Sequence, residues 1–181
     1  MALGPLQRDA SLARVEAALF AADEPLTPRK LAHAAQIADP QQVKRLVQKL
    51  RDYYDADGTA FQVEEIAGGW QLRTRPEYHP WLARMRRSHP EPRLTPAALE
   101  TLAIVAYRQP IMRADIEAIR GVHCGEVLRQ LMERGLIRIT GRDDSLGRPV
   151  LYGTTRKFLQ TFGLNSLADL PEIEQLRPPK E

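Results

Sequence analysis

Apolar positions along the chain recur with two periods. Leu12, Val15 and Leu19 fall on one face of a helix, and Pro25 interrupts the chain before a second helix start at Thr27-Pro28. There a hydroxyl N-cap precedes a proline whose fixed φ suits the first helical position. Asp39-Pro40 repeats that start signal, and Val43, Leu46, Val47 and Leu50 give the third helix one buried face before Asp57-Gly58. The period then shortens. Phe61-Gln62-Val63 and Trp70-Gln71-Leu72 alternate around Gly68-Gly69, which predicts a two-stranded hairpin.

The same order returns at an offset of 85 residues, which aligns Ala21 to Leu26 with Ala106 to Ile111 and pairs Leu19 with Ile104, Leu31 with Ile116, Val43 with Leu128 and Leu46 with Leu131. The second copy opens at Thr95-Pro96, turns at Gln109-Pro110 and near Gly121-Val122, and runs a third helix through Val127, Leu128, Leu131 and Met132 to Gly135. Its hairpin pairs Leu136 to Ile139 with Val150 to Tyr152 across the polar loop Gly141 to Pro149, and Thr155 to Phe162 forms a closing helix ending at Gly163. Three helices followed by a two-stranded wing is the winged-helix order. The expected fold is mainly α with small β-hairpins, an α+β chain of two tandem winged-helix domains. Residues 1–88 form the first, 89–93 a proline-spaced linker, 94–165 the second, and 166–181 a tail. Before the linker, Pro76 to Ser88 reads as a short helix anchored by Trp81 and Met85, and the leucines of Asn165 to Leu176 suggest packing back onto the second domain.

Composition narrows the class. A chain of 181 residues holds two cores of about 90 residues each, and no apolar run approaches the roughly 20 residues of a membrane span. Met1 to Ala10 lacks the apolar centre of a signal peptide, so a cytoplasmic location is expected. The single Cys124 has no partner for an internal disulfide or a common structural zinc site. Net charge is only +3, so any affinity for nucleic acid must come from local clustering or from a partner.

Catalytic chemistry is sparse. Asp143-Asp144 sits at a hairpin tip, where aspartates serve as solvated turn residues. His123-Cys124 reads as the start of a helix, and no phosphate-cradling glycine loop is present. A non-enzyme without metal or cofactor is expected. On the third helices, Gln41, Gln42, Lys44, Arg45, Gln48 and Lys49 suit phosphate and base edges, whereas Glu126 and Glu133 beside Arg129 and Gln130 make the second a poor reader. Arg73, Arg75, Arg84, Arg86 and Arg87 form the densest basic cluster, opposed only by Glu77. The opening helices carry more apolar surface than one core uses: Leu99, Leu102, Ala103 and Ala106 share a face from which Ile104 diverges, and Phe20 is displaced from Val15.

The run Leu94 to Ile111, containing Ala-Tyr-Arg-Gln-Pro-Ile, together with Ile119 to Val122, Glu133 to Ile137, Gly147-Arg148-Pro149, Tyr152, Phe158-Leu159 and Phe162 to Leu164, closely resembles the bacterial segregation and condensation protein B family. The resemblance spans Leu12 to Pro171 and is looser in the first copy. It implies a non-catalytic accessory subunit of the bacterial condensin complex, cytoplasmic and nucleoid-associated. Such a subunit pairs as a homodimer chiefly through its first domain and grips a kleisin, segregation and condensation protein A. Through the kleisin it meets a structural-maintenance-of-chromosomes ATPase. On this reading Leu12 and Phe20 are the expected dimer-interface residues, and Tyr107, Arg108, Arg148, Pro149 and Tyr152 the expected kleisin site, combining apolar area with arginine forks. DNA contact is expected to be weak or indirect, with Lys44, Arg45, Lys49, Arg84, Arg86 and Arg87 as its candidates. The rival reading is a sequence-specific winged-helix transcription regulator.

Overall fold

The computed structural model describes residues 8–85 and 94–172, so Arg86, Arg87, the linker at 89–93 and the tail beyond Glu172 lie outside the described residues. The chain divides into two units, Met1–Pro90 and Glu91–Glu181. Both mix helices with small antiparallel sheets.

In the first unit, α1 (Ala10–Ala21), α2 (Pro28–Ala34) and α3 (Pro40–Ala56) precede β1 (Phe61–Ile66) and β2 (Gly69–Thr74). Each helix starts at a side-chain cap: Asp9 accepts from the Leu12 amide, Thr27 from Lys30 and Asp39 from Gln41. Such a cap stabilises a helix end by about 1 kcal/mol. The core joins Leu12, Val15 and Leu19 of α1 to Leu31, Val43, Val47 and Leu50, with Val63 and Trp70 covering it from the hairpin. Ala67 and Gly68 both have positive φ, the geometry of a two-residue turn between twisted strands. Gly69 is required where β2 passes Leu26, because a Cβ there would lie 2.8 Å from the Leu26 carbonyl carbon and oxygen.

After β2, a 3-10 turn at Pro76–Tyr78 leads into α4 (His79–Met85). Trp81 and Met85 do not anchor this helix: they are 62% and 76% exposed, and the half-buried positions are Leu82 and Ala83. Seven residues cannot turn both sets inward.

The second unit runs α5 (Pro96–Arg108), β3 (Ile111–Met112), α6 (Arg113–Arg120), α7 (Gly125–Glu133), β4 (Ile137–Arg142), β5 (Val150–Thr154) and α8 (Arg156–Phe162). The internal repeat is physical. α2 and α6 start at Pro28 and Arg113, α3 and α7 at Pro40 and Gly125, each pair separated by the 85 residues of the sequence repeat. Leu31 and Ile116 are both fully buried. The repeat extends to a third strand that alternation does not reveal: Ile111 pairs with Tyr152 on β5, and its counterpart Leu26 pairs with Trp70 on β2.

The α5 face differs from the expected one. Ala98, Thr101, Leu102, Val105 and Ala106 are buried, while Leu99 and Ala103 face solvent. Because α5 is apolar nearly all round, periodicity alone does not select which side meets α7 and β5. Ile104, expected to diverge, packs against the core as a partly buried residue.

Candidate partner-binding surfaces

On α1 the surface splits sharply from the core. Leu12 is 0% exposed and packs inside its own unit, so it is removed from the expected interface; Phe20, 76% exposed, stays on the surface. The two positions lie about 80° apart at 100° per residue, enough to turn one inward and the other out. Phe20 borders an open recess lined also by Ala13, Ala17, Phe61 and Leu72, with Glu16 and Tyr54 at its polar edge. That edge is rigid: Glu16 takes bonds from Arg8 Nε at 2.7 Å and from the Tyr54 hydroxyl at 2.8 Å. Burial, then the bond to Glu16, pushes the Tyr54 phenol well above its ordinary range, so it donates.

In the second unit a recess opens at the end of α5, lined by Ala106, Tyr107, Gln109, Leu167, Leu170 and Pro171, with Glu172 as its one carboxylate. The Tyr107 hydroxyl donates to the Pro171 carbonyl at 2.7 Å, tying α5 to the segment that follows α8. That segment turns through a 3-10 helix at Leu167–Asp169, held by a capping box between Ser166 and Asp169. Arg108 is exposed beside this recess in sequence, and Gln109 behind it is fastened to Thr154.

The other expected kleisin residues do not gather there. Tyr152 is 8% exposed and belongs to the core, paired with Ile111 across the sheet, so it is withdrawn as a contact residue. Gln109 bonds to Thr154 at one end of β5, whereas Arg148 and Pro149 precede Val150 at the other. Four residues of strand at about 3.3 Å each separate Val150 from Thr154 by roughly 13 Å. Arg148 is exposed, holds a positive φ of 44°, and lies in a loop where Asp143 accepts from the Ser145 amide at 2.9 Å. The Ser145 hydroxyl, followed by its amide, holds the Asp143 carboxyl below its usual range, in keeping with a turn residue.

The basic candidates sort by what already holds them. Lys49 lies 3.7 Å from Asp9 and over the Tyr53 ring. Arg73 pairs with Glu64, and Arg75 donates to Asp55 and to the Tyr54 and Thr59 carbonyls, closing the end of α3 against the hairpin. Arg84 is exposed on α4, and Lys44 and Arg45 are exposed on α3. On α7 the exposed Arg129 is clamped by Glu126 and Glu133, which leaves that helix a poor surface for phosphate and weighs against the regulator reading.

Cys124 is buried at the start of α7, where burial raises its thiol above the usual range, and its amide donates to Glu117 at 3.0 Å. Among the described residues no group of three His, Cys, Asp or Glu side chains is placed to hold a metal ion, and no helix is long and apolar enough to cross a membrane. The leucines after Asn165 signal packing onto the second unit, but nothing in the sequence shows that Leu167, Leu170 and Pro171 form a wall facing Tyr107.

Comparison with known proteins places these surfaces in context. The family model for segregation and condensation complex subunit ScpB matches residues 13–173. Segregation and condensation protein B of Syntrophotalea carbinolica is 50% identical over 161 residues, covering 89% of this chain and 81% of that protein. The protein of the same name from Desulforamulus reducens is 42% identical over 170 residues, covering 94% and 93%. Among solved structures, a dimer of ScpB N-terminal domain complexed with ScpA peptide is 28% identical over 41% of this chain and 93% of that one, with a TM-score of 0.38.

Proposed function

This chain belongs to the segregation and condensation complex subunit ScpB family, and from that premise we propose that it is a non-catalytic, homodimeric scaffold that grips a kleisin, segregation and condensation protein A. Through the kleisin it acts on a structural-maintenance-of-chromosomes ATPase to support chromosome condensation and segregation at the nucleoid. Its two units are winged-helix domains in tandem. The first, through residue 88, pairs with a second copy. The second, residues 94–165 with the tail from 166, holds the kleisin.

One observation carries this reading. Each unit completes its own core and still leaves an apolar recess open beside its first helix, at Phe20 in one and at Tyr107 in the other. Isolated exposed apolar residues need no explanation, but a recess walled by several supports a partner. The Phe20 recess is assigned to the second copy and the Tyr107 recess to the kleisin, with the exposed Arg108 next to Tyr107 in sequence and Arg148 and Pro149 outside it.

Calorimetric titration of the kleisin's central segment into single variants tests the assignment. Arg108→Glu is expected to weaken capture by roughly 1–3 kcal/mol, and Arg148→Glu to leave it near that of the parent. Full affinity in a folded Arg108→Glu protein would move the site away from the end of α5.

A further inference from the structure

A second run of positive charge, besides the arginines of residues 73–87, lies on α2 and the first turns of α3. Residues 28–51 hold six Lys or Arg side chains and a single acid, Asp39, for a net charge of +5. The whole chain carries +3, so everything outside that stretch sums to −2. The stretch runs from the start of α2 to Arg51, three turns into α3, and the last turns of α3 add Asp52 and Asp55.

Four of the six cations are unspent. Arg29 and Lys30 on α2 and Lys44 and Arg45 on α3 are exposed, and none takes part in an ion pair among the described residues. The other two are engaged, Lys49 with Asp9 and Arg51 with the Val63 carbonyl. The single acid is occupied as well, because Asp39 caps α3 through the Gln41 amide at 2.8 Å. Around Lys44 and Arg45 the exposed side chains of α3 are Gln41, Gln42 and Gln48, so no carboxylate faces this surface until Asp52, which Gln48 engages at 2.9 Å. Arg29, Gln41 and Lys44 line one shallow recess between the starts of the two helices, placing two cations around a space open to solvent.

The corresponding surface of the second unit is built the opposite way. The counterparts of Lys44 and Arg45, 85 residues on, are Arg129 and Gln130. There Arg129 is held between Glu126 and Glu133, and Gln130 also bonds to Glu126. One repeat neutralises this face and the other leaves it charged.

We propose that the α2–α3 face of the first unit is a direct, sequence-blind contact for the phosphate backbone of duplex DNA, made by Arg29, Lys30, Lys44 and Arg45. Three helical turns offering only cations and amides meet the geometric need of a third helix laid along a groove. Affinity from so few phosphate contacts is modest and strongly salt-dependent. Gln48 is already tied to Asp52, and the contact rests on the four cations, which meet phosphates and carry no sequence information. The face shares no lining residue with the Phe20 recess on α1, and on the assignment of the kleisin to the second unit, DNA contact and kleisin capture are separable.

The test uses the full chain and fluorescence anisotropy with a labelled 30-base-pair duplex and its shuffled counterpart, across a series of salt concentrations. Both duplexes are expected to bind equally, with log affinity falling against log salt at a slope of about −3 to −4 for four neutralised phosphates. Lys44→Ala with Arg45→Ala should halve that slope and lower affinity at least tenfold at low salt, while Arg129→Ala leaves both unchanged. Circular dichroism confirms that each variant is folded, and kleisin capture should persist in the double variant. Absence of duplex binding at low salt, an unchanged slope in the folded double variant, or preference for one duplex over its shuffle would each overturn the proposal. So would variant-sensitive binding to phosphatidylserine vesicles with none to the duplex, which would reassign the face to a lipid surface.

Discussion

Gln109 and Thr154 close the second unit across 45 residues of chain. The Gln109 side-chain oxygen accepts the Thr154 amide at 2.8 Å, and its nitrogen donates to the Thr154 hydroxyl at 2.9 Å and to the Ala106 carbonyl at 3.1 Å. One side chain thus ends α5, fixes the outer end of β5 and sets the wall of the Tyr107 recess. Gly153 makes room for it: a Cβ there would lie 2.9 Å from the Gln109 side-chain oxygen and 2.7 Å from the Thr140 methyl.

Gln109→Ala is therefore expected to cost about 1–3 kcal/mol, because it strands the Thr154 amide as well as losing the bonds themselves. Gly153→Val should cost at least as much, since both near atoms are held in place by the sheet. Thermal denaturation followed by circular dichroism reads both. An unchanged midpoint for Gln109→Ala would show that water replaces the amide without loss.

A fragment of residues 94–172 should fold on its own. Its core, from Ala98 and Leu102 on α5 through Ile116, Leu128 and Leu131 to Tyr152 and Phe158, is complete within the span. Small domains bury only about 60% of their unfolded surface, so the fragment is expected to be modestly stable yet cooperative. A melt without a cooperative transition would show that the two units depend on each other.

Much of this architecture is legible in the sequence because its signals are local. Thr27-Pro28, Asp39-Pro40 and Thr95-Pro96 each mark a helix start, and Gly163 ends α8 in the left-handed conformation that glycine favours. The errors arise where local signals are degenerate. Leu99 and Leu102 are equally apolar, so the pattern of α5 is consistent with more than one buried face. β3 contains two residues, too few to alternate, although the repeat already paired Ile111 with Leu26. Tyr152 and Arg148 share a motif but not a surface, because strand and loop turn them to different surroundings. The recess at Tyr107 depends on where the segment after α8 lands, and no residue near α5 encodes that.

Phe20→Glu should convert a dimer to a monomer. A substitution at so exposed a position changes stability by about 0.5 kcal/mol or less, while a buried carboxylate would be costly in a paired state. Light scattering of the parent at tens of micromolar is expected to give twice the 20.5 kDa chain mass, and of the variant the chain mass itself. A parent already at the monomer mass would remove the pairing assigned to this face.

The second unit should lose stability in acid through Glu117. Its carboxylate accepts the Cys124 amide at 3.0 Å and Arg113 Nε at 2.9 Å, and His123 Nδ1 lies 3.4 Å away, so three groups at the junction of α6 and α7 converge on it. The Cys124 amide, followed by Arg113 and His123, holds the Glu117 carboxyl below its ordinary value of 4.5. A carboxyl with a lowered folded-state pKa contributes stability that is present above the unfolded value and is lost as pH falls through the folded one. The contribution is thus complete at neutral pH and declines below about pH 4.5. Glu117→Gln keeps the size and one acceptor but cannot lose a charge. At pH 7 the parent is expected to melt above the variant, and the gap should narrow steadily as the carboxylate range is crossed. Melting curves collected from pH 7 to about pH 3 measure that difference directly, and a gap that stays constant across the range would show that Glu117 acts by shape rather than by charge.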